Sequence, residues 1–223
     1  MGFLNFIRDH FWHAFPILLA GALAMAITIE RIWSLFMDAS MRDLEGFFQK
    51  ISGYISKAQF GEAVKLCESH ARKPVAKIMH AALSRAHLPE SVIHDGIQIS
   101  LQTNSGLLQK RTAYLATVAN VATLLGLFGT IAGLIQSFEA VAHADAQQKS
   151  ALLAAGISTA MNATMLGLGV AIPCMVVYSL LMNRTNILIQ QLDLTAVRSL
   201  DILKQRFYSS EQVQSPVSAS AEK

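Results

Sequence analysis

Hydrophobic positions in this chain gather into three long stretches separated by amphipathic sequence. Two of them, Thr112 to Phe138 and Ser150 to Asn183, contain no Asp, Glu, Lys or Arg. Crossing roughly 30 Å of hydrocarbon takes about 20 apolar residues, and both stretches exceed that length. Only eleven residues join them, which predicts a helical hairpin in the bilayer. A third stretch, Ala14 to Ile29, is apolar apart from Thr28 and ends at Glu30 and Arg31. It is longer than a typical signal-peptide core and is followed by no small-residue cleavage site, so it reads as an uncleaved anchor.

Between the first and second stretches the apolar positions recur every three or four residues. Examples are Phe47, Ile51, Tyr54 and Ile55, then Val75, Ile78, Met79, Ala82 and Leu83. This is helical periodicity, with breaks expected near Gly61, Pro74 and Pro89. No proline occurs from Glu90 to Phe138, so one long helix is allowed through the second span. Another is allowed from Ser150 to about Tyr208, with Pro173 as its kink. Near the N-terminus, Phe3, Phe6 and Ile7 share a helical face with Trp12 at the boundary, as in an interfacial helix, before Pro16 opens the first span.

The expected organisation is all-α. Residues 1–13 form an interfacial amphipathic helix, 14–36 the first transmembrane helix and 37–111 a cytoplasmic helical region. Residues 112–138 and 150–183 form the second and third transmembrane helices, joined by a periplasmic loop at 139–149. A cytoplasmic helix extension at 184–208 precedes a disordered tail at 209–223, which is polar and rich in small residues. The expectation is thus a polytopic membrane protein, two of whose three transmembrane helices extend far into the cytoplasm.

Charge supplies the orientation. Eleven of the Lys and Arg residues lie between Glu30 and Arg111 and five after Asn183, against one in the hairpin loop (Lys149) and one near the N-terminus (Arg8). The positive-inside rule then puts the middle segment and C-terminus in the cytoplasm, and the N-terminus and hairpin loop in the periplasm. The net charge of +3 is accordingly a topology signal. Basic and acidic residues intermingle in the middle segment without a basic, aromatic-interleaved cluster, so no nucleic-acid partner is expected. Cys67 and Cys174 lie on different segments and form no metal or disulfide pattern. No cofactor, metal site or catalytic residue is expected.

The polar residues inside the spans are the candidate chemistry. Thr123, Thr130 and Ser137 are seven apart and fall on one narrow helix stripe. Each hydroxyl can return a bond to its own helix backbone, or the stripe can face water or a partner. The third span carries Ser158, Thr159, Asn162 and Thr164, with Asn162 and Thr164 about 200° apart around the helix. It also carries a small-residue seam, Gly156, Ala160, Ala163, Gly167 and Ala171, that lets helix backbones approach closely. Glu30 and Arg31 either mark the water boundary of the first span or contact another subunit.

Two segments of the hairpin, GLFGTIAGLIQSF (126–138) and GISTAMNATMLGLGVAIPCMVVYSLL (156–181), resemble the second and third spans of the MotA/TolQ/ExbB family of ion-channel motor proteins. GEAVKLCESHARKPVAKIMHAAL (61–83) and IERIW (29–33) are similar to its ExbB and TolQ branch. The resemblance implies a homopentamer in the bacterial inner membrane, enclosing a dimer of a single-span ExbD-, TolR- or MotB-like protein. In that family the partner's membrane Asp takes up the ion and threonines flank it, which maps onto Thr130 and Thr164. One position departs: where ExbB and TolQ commonly carry Glu after the start of the third span, Thr159 stands here. That departure fits a divergent branch such as a gliding-motility motor.

Three function classes fit these residues to different degrees. An ion channel and stator subunit would convert ion-motive force, with the proton as the implied ion and sodium left open, into work on a TonB-like, TolA-like or gliding-machinery effector. In a passive membrane scaffold the hydroxyls and the seam would serve packing alone. An intramembrane enzyme fits worst, because the spans hold no Ser/His, paired Asp or HExxH arrangement and His143 stands alone in the outer loop.

Overall fold

The computed structural model describes residues 11–41 and 43–214, with side chains from 14 to 205 apart from position 42. Most of the expected interfacial helix and the end of the tail lie outside this range. Among the described residues there are helices and no strands, as the apolar periodicity requires. In chain order they are α1 (Phe11–Trp33), a π-helical segment (Ser34–Asp38), α2 (Leu44–Ser56), α3 (Phe60–Ser69), α4 (Pro74–Leu83), α5 (Glu90–Gln109), α6 (Thr112–Ala142) and α7 (Lys149–Gln214). Three helical stretches are long and apolar enough to cross a membrane: Ala14–Asp38, Glu90–Ala142 and Lys149–Gln205.

The described residues divide into two compact units. The first contains 11–32 and 111–182. Within it α1 buries Ala14, Ile17 and Ala24 along one stripe and leaves Leu19, Leu23, Met25 and Ile29 exposed. Ala14 and Ile17 form a cluster with Ala163 and Leu166 of α7, flanked by Leu125 of α6 and Val170. One narrow packed stripe on an otherwise apolar surface is what a helix needs when lipid, not water, covers its other faces.

The second unit contains 33–110 and the described C-terminal part of the chain from 183. Helices α2 to α5 pack consecutively, each on the next. Their core includes Phe47, Ile51 and Ile55 of α2, Cys67 of α3, Ile78 and Met79 of α4, and Ile93 and Ile97 of α5. Burial pushes the Cys67 thiol up to about 12, so it packs as a neutral side chain. Within this unit the C-terminal part of α7 buries Leu188, Leu192 and Leu203. Arg198 pairs with Glu45 at 2.8 Å and Lys204 with Glu90 at 2.6 Å. Both carboxylates sit in the first turn of their helices, where the macrodipole favours negative charge.

Three helix boundaries carry information that the sequence pattern does not. The break expected near Gly61 falls at Lys57 to Gln59, where Ala58 adopts φ 60°. Its N–H donates to Ile55 O at 3.0 Å and that of Gln59 to Tyr54 O at 2.9 Å, the Schellman arrangement that closes a helix. The helix allowed from Glu90 through Phe138 is interrupted at Lys110 and Arg111, with Arg111 left-handed at φ 67°. Neither position is a Gly or Pro, which is why composition gave no warning. Conversely α7 continues to Gln214, six residues into the expected disordered tail; no breaker appears in sequence before Pro216. Pro173 and Pro16 both lie inside helices, and α1 already begins at Phe11.

Candidate functional site in the transmembrane hairpin

Helices α6 and α7 meet along complementary lines of small residues. On α6 the buried line is Ala122, Gly126, Gly129, Gly133 and Ser137; on α7 it is Ala160, Ala163, Gly167 and Ala171, with Gly156 half-buried at the same spacing. Backbone approaches backbone most closely around Gly126 and Gly167. A Cβ added at Gly167 would lie 2.7 Å from the Ala122 carbonyl oxygen and 2.9 Å from Gly126 Cα, so backbone meets backbone. At the far end a Cβ on Gly156 would overlap the Ser137 hydroxyl. The seam legible in α7 is therefore filled by α6 of the same chain. The α6 glycines are the matching seam, and their spacing of three and four residues carries that signal in the sequence.

The hydroxyls separate into three settings. Thr123 is exposed and donates to Ala119 O at 3.0 Å; Thr130 is half-buried and donates to Leu127 O at 2.6 Å. Ser137 is buried in the hairpin interface and donates to Gly133 O at 2.6 Å, so it leaves the face that Thr123 occupies. A helix of 3.6 residues per turn drifts about 20° per seven residues, which rotates the stripe into the seam at its last member. Thr159 donates to Ala155 O at 3.1 Å. Thr164 alone among these reaches across: its Oγ1 donates to Gly126 O at 3.2 Å and joins α7 to α6 beside the closest backbone contact. Pro173 is the remaining position of interest in α7; its missing N–H leaves the Gly169 carbonyl without the usual helical donor.

At one end of α1, Glu30 Oε1 accepts from Arg31 Nη2 and from Arg111 Nη1, each at 2.9 Å. Arg31 is buried, unlike a residue that snorkels freely. The left-handed turn at Arg111, which costs about 1 kcal/mol or more for a residue with a Cβ, accompanies this ion cluster at the start of α6. In the sequence Arg111 reads only as a positive charge. Its pairing with Glu30 spans 81 residues of chain and has no local signature. Between Thr112 and Phe138, and between Ser150 and Asn183, the hairpin carries amides, hydroxyls and small residues and no carboxylate, amine or guanidinium. Among the described residues no group of His, Cys, Asp or Glu could hold a metal ion.

Known proteins share this pattern. The profile of the MotA/TolQ/ExbB proton channel family matches residues 70–194, more than half of the chain. The Tol-Pal system protein TolQ of Haemophilus influenzae is 36% identical over 101 residues, 44% of this chain and 44% of its own. TolQ of Pseudomonas aeruginosa is 30% identical over 115 residues, 52% of this chain and 49% of its own. The biopolymer transport protein exbB1 of Vibrio cholerae is 26% identical over 162 residues, covering 72% and 70%. With the first curated relatives the alignments span about half of the relatives' own length. The matched region takes in α4, α5, α6 and the hairpin part of α7. With three apolar helices in the chain and the uncharged polar hairpin inside the matched region, the chain is a multi-pass membrane protein of the MotA/TolQ/ExbB family, on the ExbB/TolQ branch.

Proposed function

We propose that this chain is the channel and stator subunit of an ion-driven motor in the bacterial inner membrane. Five copies surround two copies of a single-span ExbD-, TolR- or MotB-like partner, and the complex converts proton-motive force into work on an envelope effector of TonB-like, TolA-like or gliding type. Family membership supports the class of machine. The observation that carries the mechanism is the hairpin's uncharged polarity: it offers hydroxyls along a membrane path yet holds no group that could bind a proton near neutral pH. The partner's membrane Asp completes the site. A carboxylate is expensive to ionise in hydrocarbon, and hydroxyls that hydrogen-bond its charged form lower that penalty so that it can cycle.

Thr130 and Thr164 are the residues assigned to this role, with Thr123, Ser137 and Thr159 further along the path. Losing one hydrogen bond to a charged group costs about 1.5 to 3 kcal/mol, roughly ten- to a hundredfold in occupancy. Thr130→Val is expected to abolish or severely reduce proton flux in proteoliposomes that contain the partner, with the complex still assembled. Thr164→Val should do the same while also loosening the hairpin, since its hydroxyl bonds Gly126 O. Thr112→Val serves as the control. Its side chain is buried and its hydroxyl has no hydrogen-bond partner among the described residues, so an isosteric apolar replacement is expected to leave flux unchanged.

A second reading has a specific observation in its favour. The hydroxyls of Thr123, Thr130, Ser137 and Thr159 each bond their own helix, and that of Thr164 closes the hairpin, as in a scaffold that conducts nothing. Normal flux in both the Thr130→Val and Thr164→Val complexes would select the scaffold.

A further inference from the structure

The second unit holds a groove of about 450 Å³ that the hairpin chemistry does not use. It lies among the π segment, the loop after it, α2 and α3, and ends at Lys73 just before α4. One wall is apolar and begins where the first membrane helix ends: Phe36 is 53% and Met37 59% exposed, with Trp33 beside them in sequence at 63%. Met41 and Leu66 continue that wall. Lys50 and Lys73 also line the groove. Asp43 also lines the groove, but its Oδ1 accepts from Gly46 N at 2.9 Å as the cap of α2.

Lys73 is held in place. Its ammonium donates to Met37 O at 2.7 Å and to Ser40 O at 2.9 Å, fixing two of its three protons on carbonyls at the end of the π segment. A third N–H remains. Nearby, Arg184 donates to Ser40 Oγ at 2.8 Å and lies 5.1 Å over the Phe36 ring, adding a second anchored cation. A bare cationic patch would attract any anion. Here the cations stand against large apolar side chains left uncovered at the end of a membrane-spanning helix, and that pairing selects a ligand with one charged end and one hydrocarbon end.

We propose that this groove binds the headgroup of an anionic phospholipid from the leaflet into which the C-terminal end of α1 opens. Its phosphate diester takes charge-assisted hydrogen bonds from Lys73 and Lys50. The glycerol and upper acyl chain lie along Phe36, Met37 and Met41. A zwitterionic lipid offers the same phosphate, but its own ammonium cancels the net charge that the two lysines match. The volume is in the usual range for a small-molecule site. This inference rests on membrane insertion alone, not on ion conduction.

The test is native mass spectrometry of the purified full chain released from detergent micelles containing equal phosphatidylglycerol and phosphatidylcholine. Wild-type protein is expected to retain phosphatidylglycerol preferentially. Lys50→Glu should lower that preference roughly fivefold, and adding Lys73→Gln should lower it further. Lys50→Glu by itself keeps the test valid if loss of the Lys73 anchor disturbs folding. Lys65→Glu, on an exposed face of α3 where Lys65 pairs with Glu62, lies outside the groove and should change nothing. Equal retention of both lipids by wild type, or an equal loss in the Lys65 variant, overturns the site. Binding of millimolar inorganic phosphate with no gain for phosphatidylglycerol overturns the lipid in favour of a small anion. Lipid retention is read without the partner, so its failure is distinguishable from failure of the motor.

Discussion

Single residues show how much of this structure depends on backbone conformations that composition does not announce. Ala58 closes α2 in the left-handed region, where a Cβ crowds the following carbonyl. Glycine is the usual residue there, and it would keep both Schellman hydrogen bonds. Ala58→Gly is therefore expected to stabilise the helical unit by up to about 1 kcal/mol, less the entropy that glycine adds to the unfolded chain. The readout is a rise of a few degrees in the thermal midpoint in detergent, roughly the shift expected for a chain of this size. Ala58→Val should move it the other way, because a β-branched side chain tolerates positive φ worse. Arg111 occupies the same region with a different return: its guanidinium reaches Glu30.

At the scale of elements, the hairpin is organised by close approach. Leucine at Gly167 would have to fit where a single Cβ already meets the Ala122 carbonyl and Gly126 Cα. Overpacking of this kind costs about 1 to 3 kcal/mol, and backbone cannot swing aside as a flexible side chain can. Gly167→Leu is expected to lower the thermal midpoint of the isolated subunit and increase its proteolysis in detergent. Gly169→Leu, two residues away with nothing within 4 Å of an added Cβ, should leave both unchanged. Equal behaviour of the two variants would show that the seam contributes nothing to the hairpin. Helix type and apolar faces were readable from local spacing, because positions such as Ile51, Ile55, Ile78 and Met79 repeat with the helical period. The α7 seam was readable for the same reason. The use of Thr164 on Gly126, the Glu30 pairing with Arg111 and the left-handed joints were not: each depends on chain segments distant in sequence, or on a backbone state that Ala and Arg seldom adopt.

For the whole molecule, the distribution of Lys and Arg carries an orientation that helix geometry alone does not. Cysteine introduced at Ala146, in the eleven-residue loop between the spans, is expected to react with a membrane-impermeant thiol reagent in intact cells. Cysteine at Ser84, after α4, should react only after permeabilisation. The opposite pattern would invert the assignment of both termini. The uncharged hairpin has a consequence for the living cell as well. On the proposed mechanism, a hairpin with no group that titrates near neutral pH gives protons no stepping stone, so synthesis in excess over the proposed partner is expected to leave respiration coupled and growth unimpaired. If, as proposed, a partner supplies the acid, ion leakage is expected only in cells that make both polypeptides, and excess of this chain alone is expected to be harmless.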